Sequence, residues 1–142
     1  MHRKTYLKII FVALGLTLMS SQAQARIKYG LWQITVTAQM DGMPVDTPQE
    51  TFEQCISRKN LTPGDNKDKE GCKDSKVNRK GDTVTWTVSC AKDNHTMKGN
   101  GVVVYNDKNM TGHAQFQAGG KGLATMKMRL EYQGKYLKKR CN

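Results

Sequence analysis

His95-x-Met97 and Met40-x-x-Met43 are the closest this 142-residue sequence comes to a chemical motif. Imidazole and thioether sulfur are soft donors suited to Cu(I). Residues two apart on a strand share a face, so His95 and Met97 would present a two-donor edge. The same residues also have a structural reading. Met40, Met126 and Met128 alternate as core residues do, Met43 sits in a turn, and methionine commonly fills gaps in irregular cores. The leading expectation is therefore no cofactor, with a Cu(I) site at His95, Met97, Met40 and Met43 as the alternative.

Catalysis has less to work with. Beyond residue 25 the serines are Ser57, Ser75 and Ser89, and the histidines are His95 and His113. No Gly-x-Ser-x-Gly, His-Glu-x-x-His or phosphate-cradling glycine loop is present. The run Gly119-Gly120-Lys121-Gly122 is a turn with no helix after it. No catalytic residue is assigned, and the chain is not expected to be an enzyme.

The four cysteines, Cys55, Cys72, Cys90 and Cys141, point to compartment rather than reaction. Residues 1–25 read as a secretory signal peptide: Arg3, Lys4 and Lys8 precede the apolar run Ile9–Met19, and Ala23-Gln24-Ala25 is a small-x-small cleavage site. That run has 11 residues, too few for a span of roughly 20. Residues 26–142 then form a single exported domain, expected to be periplasmic and to have no membrane-spanning segment after cleavage. An even cysteine count behind a leader implies two disulfides, and no Cys-x-x-Cys pair suggests zinc. If Val77 faces Val84, Cys72 points away from the face that carries Cys90. The expected pairing is therefore Cys55–Cys72 with Cys90–Cys141.

The elements that position these residues are strands. Val84, Trp86, Val88 and Cys90 alternate with Thr83, Thr85, Thr87 and Ser89, the period of a half-buried strand. Lys80-Gly81-Asp82 supplies a hairpin turn, with Cys72–Arg79 running back on the other side. Trp32, Ile34, Val36, Ala38 and Met40 make a first strand over Leu31–Met40, and Thr51–Ile56 makes a second. Arg58–Gly71 reads as a polar loop. Met97–Tyr105 is a strand interrupted by Gly99 and Gly101, and Met110–Gln117 follows the turn at Asn106–Asn109. The last strand places Ala124, Met126, Met128, Leu130 and Tyr132 on one face, and Lys135–Asn142 is a basic tail. About seven strands with turns every ten residues or so predict an all-β antiparallel meander, either a sandwich or a partly closed barrel. Its core should contain Trp32, Trp86, Val84, Val88, Phe116, Leu130 and Tyr132.

The motifs Gly30-Leu31-Trp32, Met40-Asp41-Gly42-Met43-Pro44, Gln54-Cys55, Gly71-Cys72-Lys73 and Gly81-Asp82-Thr83-Val84-Thr85-Trp86 occur in this order. Met97-x-Gly99-x-Gly101, Thr111-Gly112 and Arg140-Cys141 complete the series. In these the chain resembles a family of small exported bacterial proteins, domain of unknown function 3617. Its end departs from the family's usual Arg-x-Gly-x-Cys, with Lys138-Lys139-Arg140-Cys141 in that place. The resemblance implies an exported, disulfide-bonded β-protein and carries no catalytic residues.

Charge narrows the partners. The formal net charge is +11, and the three cations of the leader leave +8 on residues 26–142. Lys135, Lys138, Lys139 and Arg140 cluster near the end, and Lys127 and Arg129 line the polar face of the last strand. The expectation is either a solvated lysine-rich face that keeps an exported protein soluble or attraction to an anionic envelope component. Nucleic acid is disfavoured by the leader, and only Tyr136 lies amid the cluster as a stacking surface. A small apolar ligand is the remaining class, with Trp32, Trp86, Phe116, Tyr132 and the methionines as lining. The expected function is a non-enzymatic binding or envelope-associated module.

Overall fold

The computed structural model describes residues 26–41, 49–64, 72 and 76–142. The expected leader, Met43 and half of the polar loop before Cys72 (residues 65–71) lie outside these. The described residues form seven strands: β1 (Gly30–Met40), β2 (Glu50–Ile56), β3 (Lys76–Lys80), β4 (Thr83–Lys92), β5 (His95–Asn106), β6 (Asn109–Gly120) and β7 (Leu123–Lys138). They form one antiparallel sheet in the order β2-β1-β7-β6-β5-β4-β3. Consecutive hairpins build the meander from β3 to β7, and the β1–β2 hairpin docks on β7. Among the described residues there is one sheet and no second layer, which is not the sandwich alternative.

The turns follow the residue chemistry that tight hairpins need. Gly81 has φ +66°, and Asp93 and Asp107 enter the left-handed region at φ 55° and 49°, where short polar side chains are tolerated. β5 runs without interruption through Gly99 and Gly101. The reason these positions lack side chains is the approach of aromatic rings. A Cβ at Gly101 would run into the Trp86 indole, and one at Gly99 would run into Phe116. β7 is longer than its sequence pattern suggested, because Gly134 and Tyr136 continue the inward alternation into what reads as a basic tail.

Most of the apolar residues of the sheet, and all of its buried ones, fall on one face, while Val104 and Leu137 stand exposed on the other, so burial requires the sheet to curl over itself. Trp32 on β1 meets Tyr105 on β5 edge to face with ring centroids 5.3 Å apart. Three strand spacings of about 4.8 Å would hold these rings well apart in a flat sheet. Trp86 on β4 reaches Tyr132 on β7 at 6.2 Å across the same number of strands. Arg79 on β3 donates through Nη1 to the Tyr29 hydroxyl just before β1, at 2.8 Å. That bond spans five strand spacings along the sheet.

One end of this half-barrel is closed. Trp32 donates from Nε1 to the Lys28 carbonyl at 2.9 Å and also packs edge-on against Tyr136 at 5.5 Å. The Tyr105 hydroxyl donates to the Leu61 carbonyl at 2.6 Å. Gln54 donates through Nε2 to the Thr62 carbonyl at 2.9 Å and accepts from the Gly64 amide at 2.8 Å. Segment 57–64 is thereby held across the closed end, with Leu61 against the core. Trp32, Val84, Trp86 and Tyr132 are buried in that core. Val88, Phe116 and Leu130, expected with them, are only half-buried, because they sit toward the opposite, splayed end.

The disulfides correct the expected pairing: they are Cys55–Cys141 and Cys72–Cys90. Val77 stands opposite Trp86, on the core-facing side as anticipated. Between the pairs Lys76–Thr87 and Cys72–Cys90, however, the register slips by one residue. A one-residue slip moves a side chain to the other face, which brings Cys72 onto the face of Cys90. Cys55–Cys141 ties β2 to the end of the chain across 86 residues and, on the chain-entropy model, stabilises the fold by about 4–5 kcal/mol. Disulfides of this kind fit an oxidising environment.

Two predictions test this core. Trp86→Ala should lower unfolding free energy by about 3–5 kcal/mol, read from the denaturant midpoint, because it opens a cavity over Gly101. Burial also holds phenols in their neutral form, raising Tyr105 and pushing Tyr132 up to about 12. The unfolded phenol ionises near pH 10, so this stabilisation is present below that pH and lost as the unfolded state deprotonates above it. Between about pH 10 and about pH 12 wild-type stability should fall, and Tyr132→Phe should show a shallower decline in denaturant midpoint.

Candidate cleft at the splayed end

Pairing across the sheet arranges the inward residues in rungs. Val36, Tyr132, Gly112, Val103 and Val84 form one, and Ala38, Leu130, Ala114, Gly101 and Trp86 form the next. The first is largely buried, and the second is buried at Trp86, Gly101 and Ala114 but only half-buried at Ala38 and Leu130. The following rung, Met40, Met128, Phe116, Gly99 and Val88, is only partly covered, and Met40 is exposed. Beyond it, Met126, Ala118, Met97 and Cys90 floor a cleft of about 470 Å³ that Leu123 and His95 extend toward the rim.

The local sequence explains the opening. Ala118, Gly119 and Gly120 give β6 no large side chain there, so Met97 on one side and Met126 on the other stand apart over a low floor. The β6–β7 register slips between Ala118 and Gly120, which sets Leu123 opposite Gly120. That slip carries Leu123 into the cleft lining, where strict alternation from Met126 would turn it outward. Met126 and Leu123 are 64% and 52% exposed, the most accessible large apolar residues in the described structure. Cys90 places the Cys72–Cys90 disulfide at the wall.

The anticipated metal donors do not assemble as a set. His95 and Met97 line the cleft together. Met40 stands on β1 opposite Met128, three strands from β5 and one rung closer to the core. Met43 is not among the described residues. The third soft donor in the cleft is instead Met126, which sequence reasoning placed in the core. Among the described residues no group of three or more His, Cys, Asp or Glu side chains is gathered that would hold a metal. His113 lies exposed on the convex face, away from His95. The cleft offers mainly apolar contact, with His95, Lys92 and Thr96 as the polar residues of its lining.

The basic residues divide between the two ends. Lys138, Lys139 and Arg140 lie exposed at the closed end, near Lys135. There Lys28 pairs with Asp107 and lies over the Tyr136 ring at 5.7 Å. Its hydrogen bond holds the Asp107 carboxyl below the usual carboxylate range. Lys98, Gln117 and Lys127 form a row on the convex face behind the cleft, while Arg129 is engaged by Glu131 at 2.8 Å. No helix in the described residues is long and apolar enough to cross a membrane.

No curated protein and no solved structure matches the chain. Residues 27–141 match the family described as a protein of unknown function, DUF3617. The match spans all seven strands and both disulfides, and the chain belongs to that family.

Proposed function

We propose that the protein is an exported, non-catalytic binding module that takes a small apolar molecule, or the apolar tail of a larger one, in the cleft at its splayed end. The observation that carries this reading is the uneven burial of one continuous apolar face. The closed end is covered by aromatic packing and segment 57–64, while Met97, Met126 and Leu123 are left around a cleft of about 470 Å³. Cavities that hold drug-sized ligands run from roughly 300 to 1,000 Å³ and are lined mainly by apolar side chains. Two disulfides and the leader-like first 25 residues support a periplasmic setting.

The test uses N-phenyl-1-naphthylamine, whose fluorescence rises in apolar surroundings. The wild-type protein with both disulfides intact should bind it. Ala118→Trp, which fills the floor between Met97 and Met126, should weaken binding about tenfold or more, with the denaturant midpoint little changed. Equal binding by the two proteins would reject the cleft as the ligand site.

Cu(I) is a second reading with its own observation, the shared lining of His95, Met97 and Met126. One imidazole and two thioethers form a soft donor set. Titration against a Cu(I)-specific chromophoric chelator should then show one bound ion, lost in the His95→Ala, Met97→Ala double variant and kept in Met40→Leu. Retention of copper by the double variant would eliminate this site.

A further inference from the structure

We propose that the splayed end docks tip-first on an anionic lipid bilayer. The β4–β5 and β6–β7 hairpins end side by side there. The Lys121 amide donates to the Asn94 carbonyl at 3.3 Å, and His95 pairs with Gly120, so the two tips form one platform. Leu123 and Met126 stand exposed on it, with Met40, 41% exposed, near the neighbouring rung. A cluster of exposed large apolar side chains rimmed by polar ones marks an interaction surface.

Charge selects the occupant. Lys121 lies in the tip beside Leu123, and Lys98 and Lys127 stand exposed on the convex face just behind it. Among the described residues of this end, the acids are Asp41 and Asp93. Apolar side chains at the tip and cations set back from it match the layering of an anionic bilayer, where acyl chains lie beneath charged headgroups. The second basic group, Lys138, Lys139 and Arg140, lies at the opposite end. Unspecific attraction would use either end. Docking by the tip uses one.

This inference does not require the cleft to hold a ligand, and the two separate experimentally. Flotation with vesicles of phosphatidylglycerol and phosphatidylcholine should recover the wild-type protein, and vesicles of phosphatidylcholine alone should not. Binding should fall steeply as salt is raised. Lys121→Glu with Lys127→Glu, and separately Leu123→Ser with Met126→Ser, should each weaken binding about tenfold or more, and Lys138→Glu with Lys139→Glu should change it less than about twofold. Because these side chains are exposed, circular dichroism should show all variants folded. Ala118→Trp should still float while losing the naphthylamine dye.

Three results would overturn the proposal. One is absence of flotation with anionic vesicles. Another is loss confined to the closed-end variant. The third is sedimentation showing that Leu123 and Met126 instead join two copies of the chain, with no affinity for lipid.

Discussion

Everything in this molecule depends on how a single sheet can bury an apolar face when no second layer covers it. Curling is the available solution, and the contact between Trp32 and Tyr105 imposes it by joining side chains that originate three strands apart. Large rings alone would not permit the curl. Inward-facing Gly101 and Gly112 leave the space into which Trp86 and Val103 fit, so bulky and absent side chains alternate over the concave surface. Hydrogen bonds from Tyr105 and Gln54 then close the end by fixing segment 57–64 across it. The aromatic contacts set the curvature, and the cap follows from it.

Curvature of this kind is tightest where the rings are. Toward the other end β6 offers only the small residues Ala118, Gly119 and Gly120, and the inward residues of β5 and β7 become methionines. These are smaller or more flexible than the tryptophans and tyrosines, and they bring no pair of rings together across the gap. The same strands therefore make a packed core at one end and an open cleft at the other. Stability and the proposed binding surface are consequences of one gradient in side-chain size.

Much of this was legible in the sequence. Alternation around Trp32, Trp86 and Tyr132 located the strands and their inward faces, because period two is a property of the backbone itself. What alternation does not encode is whether a given inward face has anything above it. Met126 and Ala124 follow the same pattern as Leu130 and Tyr132, yet they differ in burial because of what lies across the fold. Gln54 was equally hidden: a polar residue in an inward position gives no sign that its amide clamps a loop ten residues on. The disulfides were lost to register. The inference from Val77 had the correct face, and a one-residue slip between the Lys76–Thr87 and Cys72–Cys90 pairs reversed its consequence. Register slips depend on how two strands meet, a relation that neither strand's own sequence states. Leu123 entered the cleft by the same device.

The two disulfides have different tasks in such a fold. An open sheet has two edge strands, and β2 and β3 are its edges. Unpaired edges fray and recruit other chains. Cys55–Cys141 anchors β2 by tying it to the chain end that follows β7, at the closed end, where the aromatic core already gives rigidity. Cys72–Cys90 ties Cys72, four residues before β3, to β4 at the splayed end, where packing supplies little. β3 is five residues long and wholly exposed, so burial contributes almost nothing to keeping it in place. A covalent tie beside the cleft keeps that wall in position while the apolar floor stays open. At this end the crosslink does what a core would otherwise do, and the apolar side chains are left available to a partner.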